Sequence, residues 1–182
     1  MRNAARKGRK ADGGGLVTAG SPKVEWVSAA GAEYSPSVYL FPGQIFASAE
    51  AAIVTTILGS CVAVCLWDEE AGVGGINHYL LATNPMRGGA DARYGNTAMQ
   101  RLLEEVVDRG ASTGRLIAKI FGGARVIEGF SARQSIGEQN VTAARDFLQQ
   151  NEIAIGGEHT GGRAGRKLLF NTGNGSAYVK EI

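Results

Sequence analysis

Only two cysteines, two histidines and four prolines occur in the 182 residues, and aromatic residues make up 7%. Each scarcity excludes something. Cys61 and Cys65 lie four apart in an extended apolar run, where they share a face but stand too far apart for a disulfide. With His78 and His159 as the only imidazoles, no ligand set for zinc assembles, so no metal and no cofactor are expected. Cysteines without a bridging pattern fit a reducing compartment, the cytoplasm.

Charge is equally sparse. A formal net charge of +2, with no basic stripe along any helical pattern, gives no sign of nucleic-acid binding. Arg2, Arg6, Lys7, Arg9 and Lys10 are not followed by the apolar segment of a signal peptide. Residues 51–67 carry no charge, yet they fall short of the roughly 20 apolar residues that span a bilayer and include Thr55, Thr56, Gly59 and Ser60. Two buried strands with a turn between them account for the stretch better, so an integral membrane protein is not expected.

Glycine, by contrast, is abundant, 27 of 182, and falls mostly between apolar runs, which marks tight turns. With 44% hydrophobic and 20% charged residues the chain supports one folded unit. Residues 1–35 read as a flexible basic tail and 36–182 as the domain.

Along the domain, Val38–Leu40 and Gln44–Ala49 read as short strands broken by Pro42-Gly43, and Ala52–Leu58 as a third. Val62–Trp67 is apolar on both faces, as a central covered strand is, and Gly74–Leu81 is its return partner. Apolar residues at Ala98, Met99, Leu102, Leu103, Val106 and Val107 predict a helix over Asn96–Arg109 with Gly110 as its C-cap. Arg115–Phe121 is a strand, Gly137–Asn151 a second amphipathic helix, and Ile153–Ile155, Lys167–Phe170 and Ala177–Lys180 complete a strand-rich end. The expected fold is an α/β sandwich with a mixed, hairpin-rich sheet covered by helices.

The glycine-rich segments do not bind phosphate by any known pattern. In Gly161-Gly162-Arg163-Ala164-Gly165-Arg166-Lys167 an arginine displaces the P-loop lysine, and Gly173-Asn174-Gly175 lacks a third glycine, so both read as turns. His159 sits in a polar stretch where a solvated imidazole is the default, and Cys65 behaves as a small buried apolar residue. Cys61 and His78 differ. They lie symmetrically about a midpoint between Glu69 and Glu70, so a tight hairpin there makes thiol and imidazole cross-strand neighbours. A five-residue loop over Asp68–Gly72 instead sets His78 opposite Val62 and sends the pair to different faces. Contact then requires Cys61 to precede its strand, or a bulge among Gly72, Gly74 and Gly75.

The run Thr55-Thr56-Ile57-Leu58-Gly59-Ser60-Cys61-Val62-Ala63-Val64-Cys65-Leu66, the segment Gly75-Ile76-Asn77-His78 and the segment Lys119-Ile120-Phe121-Gly122-Gly123-Ala124 resemble the CheD family of chemoreceptor glutamine deamidases. Ile136-Gly137-Glu138-Gln139-Asn140 and Gly161–Lys167 extend the likeness, which runs from about residue 37 to the C-terminus. The resemblance implies hydrolysis of glutamine side-chain amides in methyl-accepting chemotaxis receptors, a protein-glutamine glutaminase activity. It implies Cys61 as nucleophile, His78 as its base and Thr55 as the third member. It also implies a fold similar to cysteine-dependent deamidating toxins and a CheC-type phosphatase as a second partner. Backbone N–H groups at Gly59 and Ser60 are expected as oxyanion donors, from the glycine beside them. A cysteine peptidase or transglutaminase-like enzyme would use the same pair on other substrates, and a non-catalytic adaptor would bind receptors or the phosphatase without it.

Overall fold

A computed structural model describes residues 23–27, 35–84, 89–125 and 135–182. Two five-stranded mixed sheets stack face to face, and two helices cover the outer side of one of them. The first sheet holds β1 (Lys23–Val27), β2 (Ser35–Tyr39), β4 (Ile53–Leu58), β9 (Arg166–Asn171) and β10 (Ala177–Glu181), in the order β1-β2-β4-β9-β10. The second holds β3 (Ile45–Ser48), β5 (Val62–Asp68), β6 (Val73–Asn77), β7 (Ile117–Gly122) and β8 (Ala154–Thr160), in the order β3-β6-β5-β7-β8. Helices α1 (Gly95–Asp108) and α2 (Ile136–Gln150) pack on the second sheet.

The α/β class is as expected, but one mixed sheet becomes two. Consecutive strands from β2 to β5 alternate between the sheets, and the inner faces of a sandwich carry the same period-2 pattern as one sheet facing helices. Periodicity therefore could not separate them. It did identify β5, which is buried on both faces: Val62, Val64 and Leu66 pack toward the helices, while Ala63 and Cys65 pack into the layer between sheets. The boundary at residue 35 also shifts, because β1 lies within the span assigned to the tail and pairs antiparallel with β2. The rest of that span is outside the described residues.

Both helices follow their apolar stripes. Ala98, Met99, Leu102, Leu103 and Val106 of α1 are buried, and Gly110, at φ +104°, lets the chain leave the helix in the left-handed region. In α2, Ser135 accepts the Glu138 N–H while the Glu138 carboxylate accepts the Ser135 N–H, a capping box that contributes about 1 kcal/mol. The two glycine-rich segments form the turns β8–β9 and β9–β10. Among the described residues, no helix is long and apolar enough to cross a membrane.

The hairpin that carries the candidate site is fixed by Asp68. Its buried carboxylate accepts the N–H groups of Glu70 and Ala71 at 3.1 Å each and that of Ser112 at 2.8 Å, and it pairs with Arg115 at 2.9 Å. The Arg115 guanidinium, with help from these amides and against burial, lowers the carboxyl pKa to about 2. The resulting loop has four residues, Glu69–Gly72, and Asp68 pairs with Val73.

Candidate active site

From Asp68↔Val73 the register runs without a bulge through Cys65↔Ile76 to an isolated bridge between Val62 and Tyr79. His78 therefore opposes Ala63, and Cys61 lies one diagonal step away on the same face. Diagonal neighbours have Cβ atoms roughly 7 Å apart, within reach of a long side chain. Of the two expected routes to contact, the first applies: β5 begins at Val62, so Cys61 precedes its strand. The glycines of β6 serve packing instead of a bulge, for a Cβ on Gly75 would stand 2.8 Å from Leu102 and 2.7 Å from Val106 of α1.

Cys61 is half-buried at the end of the layer between the sheets. Its sulfur accepts the Gly59 N–H at 3.4 Å, and its carbonyl accepts the Gly123 N–H at 2.8 Å. The close approach of β7 requires glycine at 122, where φ is +109° and a Cβ would lie 2.2 Å from the Cys61 oxygen. Desolvation raises the thiol pKa, opposed by the backbone N–H groups of Gly59 and of Cys61 itself. The Gly59 amide thus serves the sulfur rather than an oxyanion, a correction to the expected role. Ser60 offers its carbonyl to a side chain of α2. Cys65 is buried in the sheet–sheet layer, as expected, and burial pushes its thiol up.

His78 is 1% exposed. Its backbone is held on both sides, N–H to the Gln44 carbonyl at 3.1 Å and carbonyl from the Gly43 N–H at 2.7 Å. Its Nδ1 lies 2.9 Å from Thr56 Oγ1, and Thr56 Oγ1 donates to the Leu40 carbonyl at 2.7 Å. A hydroxyl has one proton. Since Leu40 offers only an acceptor, the Thr56 proton goes there and His78 Nδ1–H donates to Thr56. That fixes the tautomer and leaves Nε2 with its lone pair, buried and without a hydrogen-bond partner. Burial lowers the imidazole pKa to about 4, only partly offset by the Leu40 carbonyl. At neutral pH the pair rests as thiol and imidazole.

Thr55, the residue the resemblance points to, is on the other face of β4. Alternation turns Val54, Thr56 and Leu58 into the core and leaves Thr55 partly exposed beside Tyr39 and Leu169. The structure brings Thr56, and not Thr55, to the imidazole. His159 is also elsewhere, with Nδ1 2.9 Å from the buried Arg166 guanidinium, which also donates to the carbonyls of His159 and Gly161. Among the described residues no group of three or more His, Cys, Asp or Glu side chains is placed to hold a metal ion.

One residue in the site was not read from the sequence. Asn140, on α2 and 0% exposed, donates both amide protons, to the Ser60 and Leu80 carbonyls at 2.9 Å each. Its signal was available: an amide within the stripe Gly137, Asn140, Val141, Ala144, Leu148 that α2 buries. A cleft of about 400 Å³ opens past Gly123, lined by Glu138, Val141, Arg145 and Thr160 among others, and neither Cys61 nor His78 lines it.

A sequence model of the family described as CheD, chemotactic sensory transduction, matches residues 81–181. A protein of Trichlorobacter lovleyi named "Probable chemoreceptor glutamine deamidase CheD" is 47% identical over 137 residues, 75% of this chain and 85% of its own length. "Probable chemoreceptor glutamine deamidase CheD 1" of Anaeromyxobacter dehalogenans is 44% identical over 145 residues, 80% of this chain and 84% of its own. A solved structure of a Neisseria meningitidis protein of the DUF152 family overlaps 62% of this chain and 52% of its own at a TM-score of 0.35 and 12% identity, too slight a likeness to bear on the fold.

Proposed function

Because the chain belongs to the CheD family, we propose that it hydrolyses glutamine side-chain amides of chemoreceptors to glutamate, with Cys61 as nucleophile, His78 as base and Thr56 as the residue that orients the imidazole. The observation that carries the reading is the shared face of Cys61 and His78, with Nδ1–H engaged by Thr56 and Nε2 left as a bare acceptor. A base needs that tautomer.

In the proposed reaction His78 Nε2 takes the Cys61 proton as the sulfur attacks the amide carbon. The tetrahedral adduct collapses with transfer of that proton to nitrogen, releasing ammonia and leaving a thioester. Water, deprotonated by His78, then adds to the thioester; the C–S bond breaks, the thiol recovers its proton and glutamate departs. The Gly59 N–H at the sulfur stabilises charge as the thiolate forms. N–H groups of the Ser60–Cys61 turn are the proposed oxyanion donors. Ionisation of a thiol from its neutral resting state accounts for only about 2 kcal/mol of a typical acceleration of about 8 kcal/mol or more, so positioning carries the larger share.

Two unpaired cysteines support action in the cytoplasm, and family resemblance supports a CheC-type phosphatase as a second partner. The test is incubation with a glutamine-bearing receptor fragment followed by mass analysis. Conversion of amide to acid, lost in Cys61→Ala and His78→Ala, is expected. Cleavage of the fragment would indicate a peptidase and an isopeptide product a transglutaminase. Binding without any conversion would indicate an adaptor.

A further inference from the structure

The ladder between the strands of Cys61 and His78 ends one residue short of the thiol. Val62 and Tyr79 exchange both backbone bonds, at 3.1 and 3.0 Å, and the next opposing positions are Cys61 and Leu80. There the strands part: the Cys61 carbonyl is taken by the Gly123 N–H, and the Leu80 N–H donates to the Arg93 carbonyl at 2.8 Å. Asn140 spans the gap. The two protons of its side-chain amide reach Ser60 O and Leu80 O, one carbonyl on each strand, both at 2.9 Å. The reversed amide would face two carbonyl oxygens with a third, so only this orientation is stable.

The helix end that carries Asn140 is itself held to the same strands. The Asn140 carbonyl accepts the Tyr79 hydroxyl at 2.7 Å, and Gly137 packs so tightly that a Cβ there would lie 2.3 Å from the Gly123 oxygen. A planar amide donating to two carbonyls fixes their spacing where no backbone ladder does. We propose that Asn140 is a positioning residue that sets the separation of Cys61 from His78, so that the first turn of α2 holds the pair in register from the opposite side of the sheet. This rests on the deamidase reading for its catalytic consequence, and on geometry alone for its structural one.

The test compares the wild type, Asn140→Ala and Leu148→Val, the last a core substitution two turns along the same helix and away from the site. Two readouts are taken on the full chain: kcat and KM on a glutamine-bearing receptor fragment, and amide hydrogen exchange along β5 and β6. Asn140→Ala is expected to lower kcat roughly 30-fold with KM unchanged within about twofold, in line with the cost of a small misplacement of reacting groups. Exchange should quicken at Val62 and Tyr79 while amides nearer the Asp68 turn keep wild-type protection. Leu148→Val should leave kcat at the wild-type value. Unchanged kcat in Asn140→Ala, a KM rise at constant kcat, or exchange that quickens uniformly would each overturn the proposal. Should Asn140→Ala not fold, Asn140→Ser, which keeps one donor, is measured in the same two ways, and the same results support or overturn the proposal. A wild type that converts no fragment would refute the deamidase reading, and exchange would then decide the clamp by itself.

Discussion

Burial holds both groups of the pair neutral at rest, and the pH dependence of activity should show it. An imidazole with the ordinary pKa of 6.5 is only about 9% neutral at about pH 5.5, and such a base would lose about tenfold in rate between about pH 7.5 and 5.5. With its pKa lowered to about 4, His78 remains about 97% neutral at that pH. The initial rate of deamidation at low substrate, which reports kcat/KM, should therefore change less than about twofold over the interval and fall only toward about pH 4. The thiol behaves oppositely. Desolvation raises the Cys61 pKa, so alkylation by iodoacetamide, which reads the thiolate, should be slow at neutral pH and climb through a midpoint above that of an ordinary thiol. An acid limb near pH 6.5, or alkylation already on its plateau at about pH 7, would refute the reasoning, the second by revealing a preformed thiolate–imidazolium pair.

The same shift gives a stability signature: below the unfolded pKa of 6.5 the unfolded chain takes a proton that buried His78 refuses, so stability is fully present above that pH and declines by about 3 kcal/mol as pH falls to about 4, measurable by urea unfolding in wild type and absent in His78→Gln. Thr56→Val leaves the Leu40 carbonyl and His78 Nδ1–H buried and unpaired, so it should cost about 1–3 kcal/mol of stability and about tenfold or more in kcat. Thr55→Val should stay within about 0.5 kcal/mol and keep its activity; the reverse pattern in the two variants would return the orienting role to Thr55. Asp68→Ala removes four contacts at the hairpin turn and should lower the unfolding free energy by about 2–3 kcal/mol at neutral pH. Since the Asp68 pKa is depressed to about 2, that contribution is present above its ordinary value of 3.8 and vanishes as pH falls through about 2, so wild type and Asp68→Ala should converge in acid.

Much of this was legible in the chain. Both helices follow from stripes at 3.6-residue spacing, and β5 from its unbroken apolar run, because burial on each face imposes those patterns directly. The pairing of Cys61 with His78 was legible as a possibility and its register was not. A four-residue loop anchored by Asp68 depends on Ser112 and Arg115, over forty positions away. The choice between adjacent threonines is equally invisible locally: both suit a strand, and only the packing of β4 against Leu40 and His78 determines which hydroxyl is buried. Two sheets looked like one because an inner face has the same alternation whichever layer covers it. Asn140 was readable as an amide in an apolar stripe, but its two carbonyl partners belong to strands some sixty and eighty residues earlier.

The central claim is that the Cys61 sulfur attacks the glutamine carbonyl. Rapid acid quenching during turnover of a glutamine-bearing receptor fragment, followed by peptide mapping of the enzyme, tests it directly. The account predicts a thioester between the fragment and the peptide that contains Cys61, at Cys61 itself, and no conversion in Cys61→Ala. An adduct confined to Cys65, or deamidation that survives Cys61→Ala, would contradict it.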